Sequence, residues 1–166
     1  MFVSKAQGST EYLVLFGAVM VIVLVAISLI SSNTSLSQST TTNSNAAYWN
    51  EAAPFAIPSD PLSSAGNGYV QVALSVENHA ARELTMTNFA LTIPGGATAV
   101  SNATSFIFSP GEAKTIIVYS ASGANMQDCT NLAGRYVPYT VKITYTDGPL
   151  AGKVQVGNKQ LMVLCT

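Results

Sequence analysis

The side chains that most often carry catalysis are few in this chain, and their spacing fits none of the common catalytic motifs. His79 is the only histidine, so a metal site with two histidine ligands is excluded and a catalytic triad would depend on this one residue. It follows Glu77 and Asn78 at the end of a predicted strand, where we expect an exposed loop position. The tripeptide that begins at Gly66 lacks the third glycine and the helix of a dinucleotide loop, and the acidic residues lack calcium-loop spacing. We therefore expect no enzyme activity, no cofactor and no metal site.

The charges of the chain argue against a nucleic-acid partner. The formal net charge is −1, and only 9% of the residues are charged, against about 25% in an average soluble domain. Nucleic-acid binding needs clustered lysine and arginine, whereas the basic residues here are scattered singly. They are Lys5, Arg82, Lys114, Arg135, Lys142, Lys153 and Lys159.

A long apolar segment lies near the N-terminus. Residues 12–30 read YLVLFGAVMVIVLVAISLI and contain neither a charge nor a proline. As a helix the segment would rise about 30 Å, enough to cross the hydrocarbon core of a bilayer. A secretory signal peptide has a shorter apolar region, of about 7–15 residues, followed by a small-residue cleavage site, which is missing here. A plain transmembrane anchor is one interpretation that stays open.

Glu11 stands directly before this segment. A carboxylate at the edge of a membrane helix is costly unless it meets a cation, so such an acid is a candidate functional residue. If the chain is cut between Ala6 and Gln7, Glu11 becomes the fifth residue and lies about one helical turn from a new amine. The helix dipole favours the carboxylate by only about 0.5 kcal/mol, so the larger gain would come from the amine of a neighbouring subunit. If the leader is retained, Lys5 becomes the nearest cation.

The N-terminal residues resemble a known type of signal. From Gln7 the chain reads QGSTEYL, behind a short leader that ends in Lys5-Ala6 and ahead of the apolar segment. This pattern is similar to the archaeal class III signal peptide of type IV pilin-like proteins, and the match covers about residues 1–30. The resemblance implies that a membrane aspartic peptidase, the prepilin peptidase, removes residues 1–6.

The resemblance also implies a structural role. Gln7, Glu11 and Tyr12 would be assembly residues in the hydrophobic core of a helical homopolymer, and identical subunits would be the main partners. An ATP-powered machine would move each subunit from the cytoplasmic membrane into an extracellular, adhesive type IV pilus-like filament. Two alternatives stay open. One is an archaellin of a motility filament, although the glycine-rich stretch that usually follows the archaellin cleavage site is missing. The other is a monomeric membrane-anchored binding domain.

The segment after the apolar run changes character abruptly. Residues 31–45 read SSNTSLSQSTTTNSN and carry no charge. Because Ser, Thr and Asn side chains compete for backbone hydrogen bonds, this composition indicates a linker or a frayed helix end, although neighbours in a filament could hold part of it helical. Three prolines in residues 48–61 exclude a continuous helix or a central strand there. We assign residues 7–45 to the assembly helix and linker, and residues 46–166 to an extracellular domain.

From Tyr69 onward the pattern predicts strands. Apolar residues alternate with small polar ones, and turn signals recur about every ten residues, as in antiparallel sandwiches and barrels. The predicted fold class is therefore α+β, a long N-terminal hydrophobic helix followed by an Ig-like antiparallel β-sandwich or barrel. The predicted strands cover residues 69–76, 83–93, 105–108, 112–120, 136–146 and 153–165.

Two kinds of covalent modification are expected in the exported part of the chain. Behind a translocated helix, a disulfide between Cys129 and Cys165 is the simplest interpretation, with two buried free thiols as the alternative. The bridge would close a loop of about 37 residues and add roughly 4 kcal/mol of stability. N-glycosylation sequons begin at Asn33 in the linker and at Asn102 in a predicted loop, although such triplets also arise by chance in a chain rich in Ser and Thr.

Overall fold

The computed structural model describes residues 7–66, 69–96, 98–121, 125–127 and 129–166. Contacts between residues divide the chain into two units, with the boundary between Thr41 and Thr42. Within these ranges, one long helix, α1 (Gln7–Glu51), is followed by ten strands. The strands are β1 (Phe55–Ala56), β2 (Leu62–Gly66), β3 (Tyr69–Asn78), β4 (Leu84–Thr92), β5 (Val100–Asn102), β6 (Phe106–Phe108), β7 (Ala113–Ala121), β8 (Tyr136–Asp147), β9 (Leu150–Val156) and β10 (Leu161–Cys165).

Helix α1 continues through the polar tract to Glu51. The sequence left open whether residues 31–45 form a linker, a frayed helix end or a continuous helix. In the structure their backbone is helical throughout. Ser, Thr and Asn lower helix propensity without breaking a helix, whereas proline removes a donor and clashes with the preceding turn. The first proline after the apolar segment is Pro54, and the helix ends three residues before it.

The strands form one hydrogen-bonded network in the order β1-β3-β2-β10-β8-β4-β5, with β7 paired to β3, β6 to β4 and β9 to β8. The pairs are antiparallel except β10 and β2, which run parallel. Strand β8 links two parts of the network, because residues 136–139 pair with β10 while residues 140–147 pair with β4 and β9. The predicted class is confirmed: a long N-terminal apolar helix precedes a mostly antiparallel β-domain in an α+β fold.

A single core lies within the β-domain. Apolar side chains from both parts of the network are fully buried in one cluster, as strict alternation along half-buried strands requires. Phe55 of β1 packs edge-on against Phe108 and Tyr145, with ring centroids 5.4 and 5.5 Å away. These contacts bring the start of the domain against strands β6 and β8.

Two side-chain amides join strands that are not neighbours in this order. The Gln155 carbonyl accepts a hydrogen bond from the Phe55 N–H (3.0 Å), and its NH₂ donates to the Phe55 carbonyl (2.9 Å), so β9 is fastened to β1. The Asn102 NH₂ donates to the Ile117 carbonyl (2.8 Å) and fastens β5 to β7. The Gln155 amide both donates to and accepts from the same residue, as a peptide group of a neighbouring strand would.

The structure contains strands that the sequence pattern did not predict, namely β1, β2 and β5. The sequence of β2, LSSAG, has no β-branched residue, and the strand exists because β3 and β10 pair with its two edges. The prediction of one strand over residues 153–165 was wrong. The structure divides it into β9 and β10, with the separating loop at Gly157 packed against Trp49 of the helix end.

A buried carboxylate holds the turn between β8 and β9. Asp147 is only 6% exposed, and its Oδ1 lies 2.5 Å from Arg82 Nε. Its Oδ2 accepts hydrogen bonds from Arg82 Nη2 (2.6 Å) and Lys153 Nζ (2.5 Å). The hydrogen bond from Lys153 and the charge of Arg82 lower the pKa of Asp147, although burial acts in the opposite direction.

This ion-pair group makes stability depend on acid pH. Because the pKa of Asp147 is lowered by folding, its contribution is complete above the ordinary aspartate pKa of about 3.9 and is lost as pH falls through the lower folded value. We expect Asp147→Asn to melt below the native protein at neutral pH, with the difference in Tm shrinking as the pH falls below about 4. Thermal unfolding across pH measures this. Glu83→Gln, which neutralises an exposed acid before β4, is the control, and a Tm difference independent of pH would contradict the assignment.

Candidate functional site

The candidate site is the apolar part of α1. Residues Glu11–Leu29 form a helix with a mean hydropathy of 2.8, long and apolar enough to span a membrane, and none of this segment is buried within the chain. Consecutive side chains from Leu13 to Phe16 are all exposed. Since successive residues of a helix point about 100° apart, the segment is apolar around its whole circumference. A surface of this size has to be covered by lipid or by other protein.

The predicted assembly residues lie at the start of this segment. Gln7 is the first residue of α1, and Glu11 follows at the i+4 position, so both lie on one side of the helix about 6 Å apart along its axis. Tyr12 is 78% exposed. Glu11 is exposed too, and no residue in the described ranges forms an ion pair with it. The predicted processing residue Ala6 and the alternative cation Lys5 lie outside the described residues.

The last turns of α1 belong to the second unit and pack on the β-domain. Thr42, Asn45 and Trp49 are buried at i, i+3 and i+7 spacing, so one side of the helix end faces the domain. The Tyr48 hydroxyl accepts a hydrogen bond from the Asn158 N–H (3.0 Å), and the Trp49 carbonyl accepts one from the Ile57 N–H (2.8 Å). Sequence reasoning did not predict this contact. The signal in the sequence was the aromatic pair Tyr48-Trp49, which follows the polar tract and would be expected to be buried.

Gly157 makes this packing possible. A Cβ atom at position 157 would lie 2.2 Å from Cζ2 of Trp49, far inside van der Waals contact, and 3.1 Å from the Lys159 carbonyl oxygen. Trp49 is 1% exposed, so the indole has no room to move away without disturbing the core. The loop between β9 and β10 therefore needs a residue without a side chain at this position.

The two cysteines form the predicted disulfide. The sulfur atoms of Cys129 and Cys165 lie 2.01 Å apart, and both residues are buried. The bond ties the segment between β7 and β8 to the last strand. Two backbone hydrogen bonds support the same connection, from Gly134 N–H to the Cys165 carbonyl (2.8 Å) and from Cys165 N–H to the Arg135 carbonyl (2.9 Å).

The two sequons occupy different environments. Asn33 lies within the helical backbone of α1, and its side chain is outside the described residues. Asn102 ends β5 and is partly exposed, and its amide already bonds the Ile117 carbonyl and the Thr104 N–H. Glycosylation at either position stays a prediction.

No protein-family model matches this chain, and no curated protein is significantly similar to it. The apolar helix, the residues that precede it and the β-domain are therefore the features that indicate a function.

The contact between the helix end and the domain leads to a stability prediction. Gly157→Ala should lower the free energy of unfolding by about 1–3 kcal/mol, because the new methyl group overpacks the Trp49 ring. Thermal or denaturant unfolding of the full chain in detergent measures the loss. In a Trp49→Phe background, which removes the clashing ring carbon, the same substitution should cost less. An equal cost in both backgrounds would contradict the proposed contact.

The disulfide leads to a second prediction. Non-reducing peptide mapping should recover Cys129 linked to Cys165, and the double replacement by alanine should reduce stability by about 2–4 kcal/mol. Unfolding of the native chain with and without reductant provides the matched comparison. Complete alkylation of both thiols without reductant would exclude the bond.

Proposed function

We propose that this protein is the structural subunit of an archaeal type IV pilus-like adhesive filament. The observation that carries the proposal is the fully exposed apolar helix at Glu11–Leu29, and the resemblance of the preceding residues to a class III signal supports it. A helix that is apolar on every side needs cover around its whole circumference, and a bundle of identical helices supplies it.

The same helix would serve in two environments. Before assembly it holds the subunit in the cytoplasmic membrane, where its length matches the hydrocarbon core. On assembly, contacts with lipid are exchanged for contacts with neighbouring helices, an exchange that is nearly neutral for each apolar contact. Packing and charge pairing, with the work of an ATP-powered machine, must therefore favour the filament.

Glu11 supplies the charge pairing in this mechanism. The prepilin peptidase would cut between Ala6 and Gln7, and the new amine of one subunit would pair with the Glu11 carboxylate of its neighbour. In a core that excludes water, removing one partner of such a pair costs about 3–5 kcal/mol because the other charge is left alone. This cost is larger than the helix-dipole effect within one subunit.

The β-domain is suited to display outside the cell. Its single core and its disulfide stabilise it independently of the apolar segment, and disulfides persist in oxidising compartments. We propose that the domain covers the outside of the filament and carries its adhesive surface.

Electron microscopy of sheared surface filaments, with mass spectrometry of the major band, tests the function. We expect this chain to be the main component, with an N-terminal peptide that begins at Gln7. Glu11→Lys should abolish filaments, because it adds repulsion to the loss of the pair, and Glu11→Gln should reduce their number less. The subunit should stay folded and inserted in the membrane, which disulfide mapping and blots of membrane fractions check.

Glu51→Gln and Glu51→Lys provide matched controls, because they alter an exposed acid at the other end of the same helix. Normal filament numbers with Glu11→Lys would overturn the charge-pairing mechanism. Absence of this chain from any filament, together with a monomeric membrane-bound form, would overturn the proposed function in favour of an anchored binding domain.

A further inference from the structure

An apolar row crosses the outer surface of the β-domain. Buried residues such as Val72, Val118 and Val163 face the core, and the residues that alternate with them face outward. In direct register on that outer side, five apolar residues continue from strand to strand across β8, β10, β2, β3 and β7. This outer row consists of Tyr136, Leu164, Leu62, Ala73 and Ile117.

The outer row is open to solvent and wide. Leu62 is 48% exposed and Ile117 is 43% exposed, and the neighbouring Tyr119 on β7 is 64% exposed. Five adjacent strands span about 19 Å at the usual spacing of about 4.8 Å. Solvent-facing strand positions normally carry polar side chains, so a continuous apolar row indicates a contact surface.

A second apolar surface lies on β9. Val154 and Val156 are each about half exposed and lie on the outward side with Thr144 and Lys142, and we call these two valines the β9 face. Among the described residues this strand has ladder bonds to β8, and the Gln155 side chain also bonds the Phe55 backbone of β1. Edge strands usually carry charges that prevent association, whereas the outward positions of β9 are apolar.

The charges beside the two surfaces are opposite. Asp60 is exposed and lines the same small cavity as Met162, which shares the outer side of β10 with Leu164. Lys142 is exposed and is the direct cross-strand neighbour of Val156 on the β9 face. Within the described residues, neither charge has an ion-pair partner. The outer row is therefore bordered by the negative charge of Asp60 on the Met162 side and by exposed Arg135 next to Tyr136, whereas the β9 face is bordered by the positive charge of Lys142.

We propose that the outer row of one copy packs on the β9 face of the next copy, with Asp60 of the first paired to Lys142 of the second. This inference rests on the proposed filament function and names the contact between β-domains within it. Packing the β9 face on itself would bring Lys142 near its own copy, whereas packing it on the Asp60 side of the outer row brings opposite charges together. A contact between two different surfaces is heterologous. When the rotation that relates successive copies does not close into a ring, a heterologous contact repeats indefinitely and forms a helical filament.

A charge exchange tests this contact in the full chain. Asp60→Lys and Lys142→Asp should each reduce filament number by roughly tenfold or more, because each variant places like charges together in the interface. The chain that carries both substitutions should recover filaments, since the pair is restored in the opposite sense. Glu83→Lys, at an exposed position away from both surfaces, changes the net charge as Asp60→Lys does and should assemble normally.

Zero-length carbodiimide cross-linking of native filaments provides a second measurement. Mass spectrometry should recover a peptide joining Asp60 to Lys142, and mixed isotopic labelling should show that its halves come from different copies. Normal filaments from both single variants, without this cross-link, would overturn the contact while leaving the filament function intact. A native chain that forms no filaments at all would overturn the proposed function itself.

Discussion

The rest of the structure depends on one constraint: an apolar helical surface that its own unit does not cover. Residues Glu11–Leu29 carry large exposed apolar side chains around the whole helix. Packing one face of the helix against a protein surface would therefore leave the other faces exposed. The β-domain must therefore fold around a core of its own, which it does with residues from all parts of its strand network. The helix is left free to meet lipid or other helices. The residues that form the core of the β-domain are therefore different from those of the exposed apolar helix.

The domain reaches this independence with interactions that join distant parts of the chain. The Cys129–Cys165 disulfide ties a long connection to the last strand, and Gln155 fastens β9 to the start of the domain. The last turns of α1 are included in the same unit, because Trp49 is buried beside Gly157. The helix therefore continues into the β-domain, where the buried Trp49 side chain packs beside Gly157.

Charge is scarce in this chain, which makes the placement of each charge informative. Asp147 uses two of the seven basic residues, Arg82 and Lys153, to hold one turn, and Glu112 pairs with Lys114. In the described part of the chain, Glu11, Asp60 and Lys142 have no such partner. Each of them lies beside an apolar surface. Opposite charges beside apolar surfaces can determine the register of an association that apolar contacts alone would leave undefined.

The sequence by itself determined the elements whose signals are local. Nineteen uncharged residues in a row predict the helix, and alternation over a few residues predicts most of the long strands, because each pattern lies within one continuous stretch of the sequence. The expectation that the β-domain is exported also made the disulfide predictable. Only the tertiary structure decided the parallel pairing of β2 with β10, the contact of Trp49 with Gly157 and the row from Tyr136 to Ile117. These features join residues up to about a hundred positions apart, and their register follows from the packing of the whole core, which no local pattern encodes.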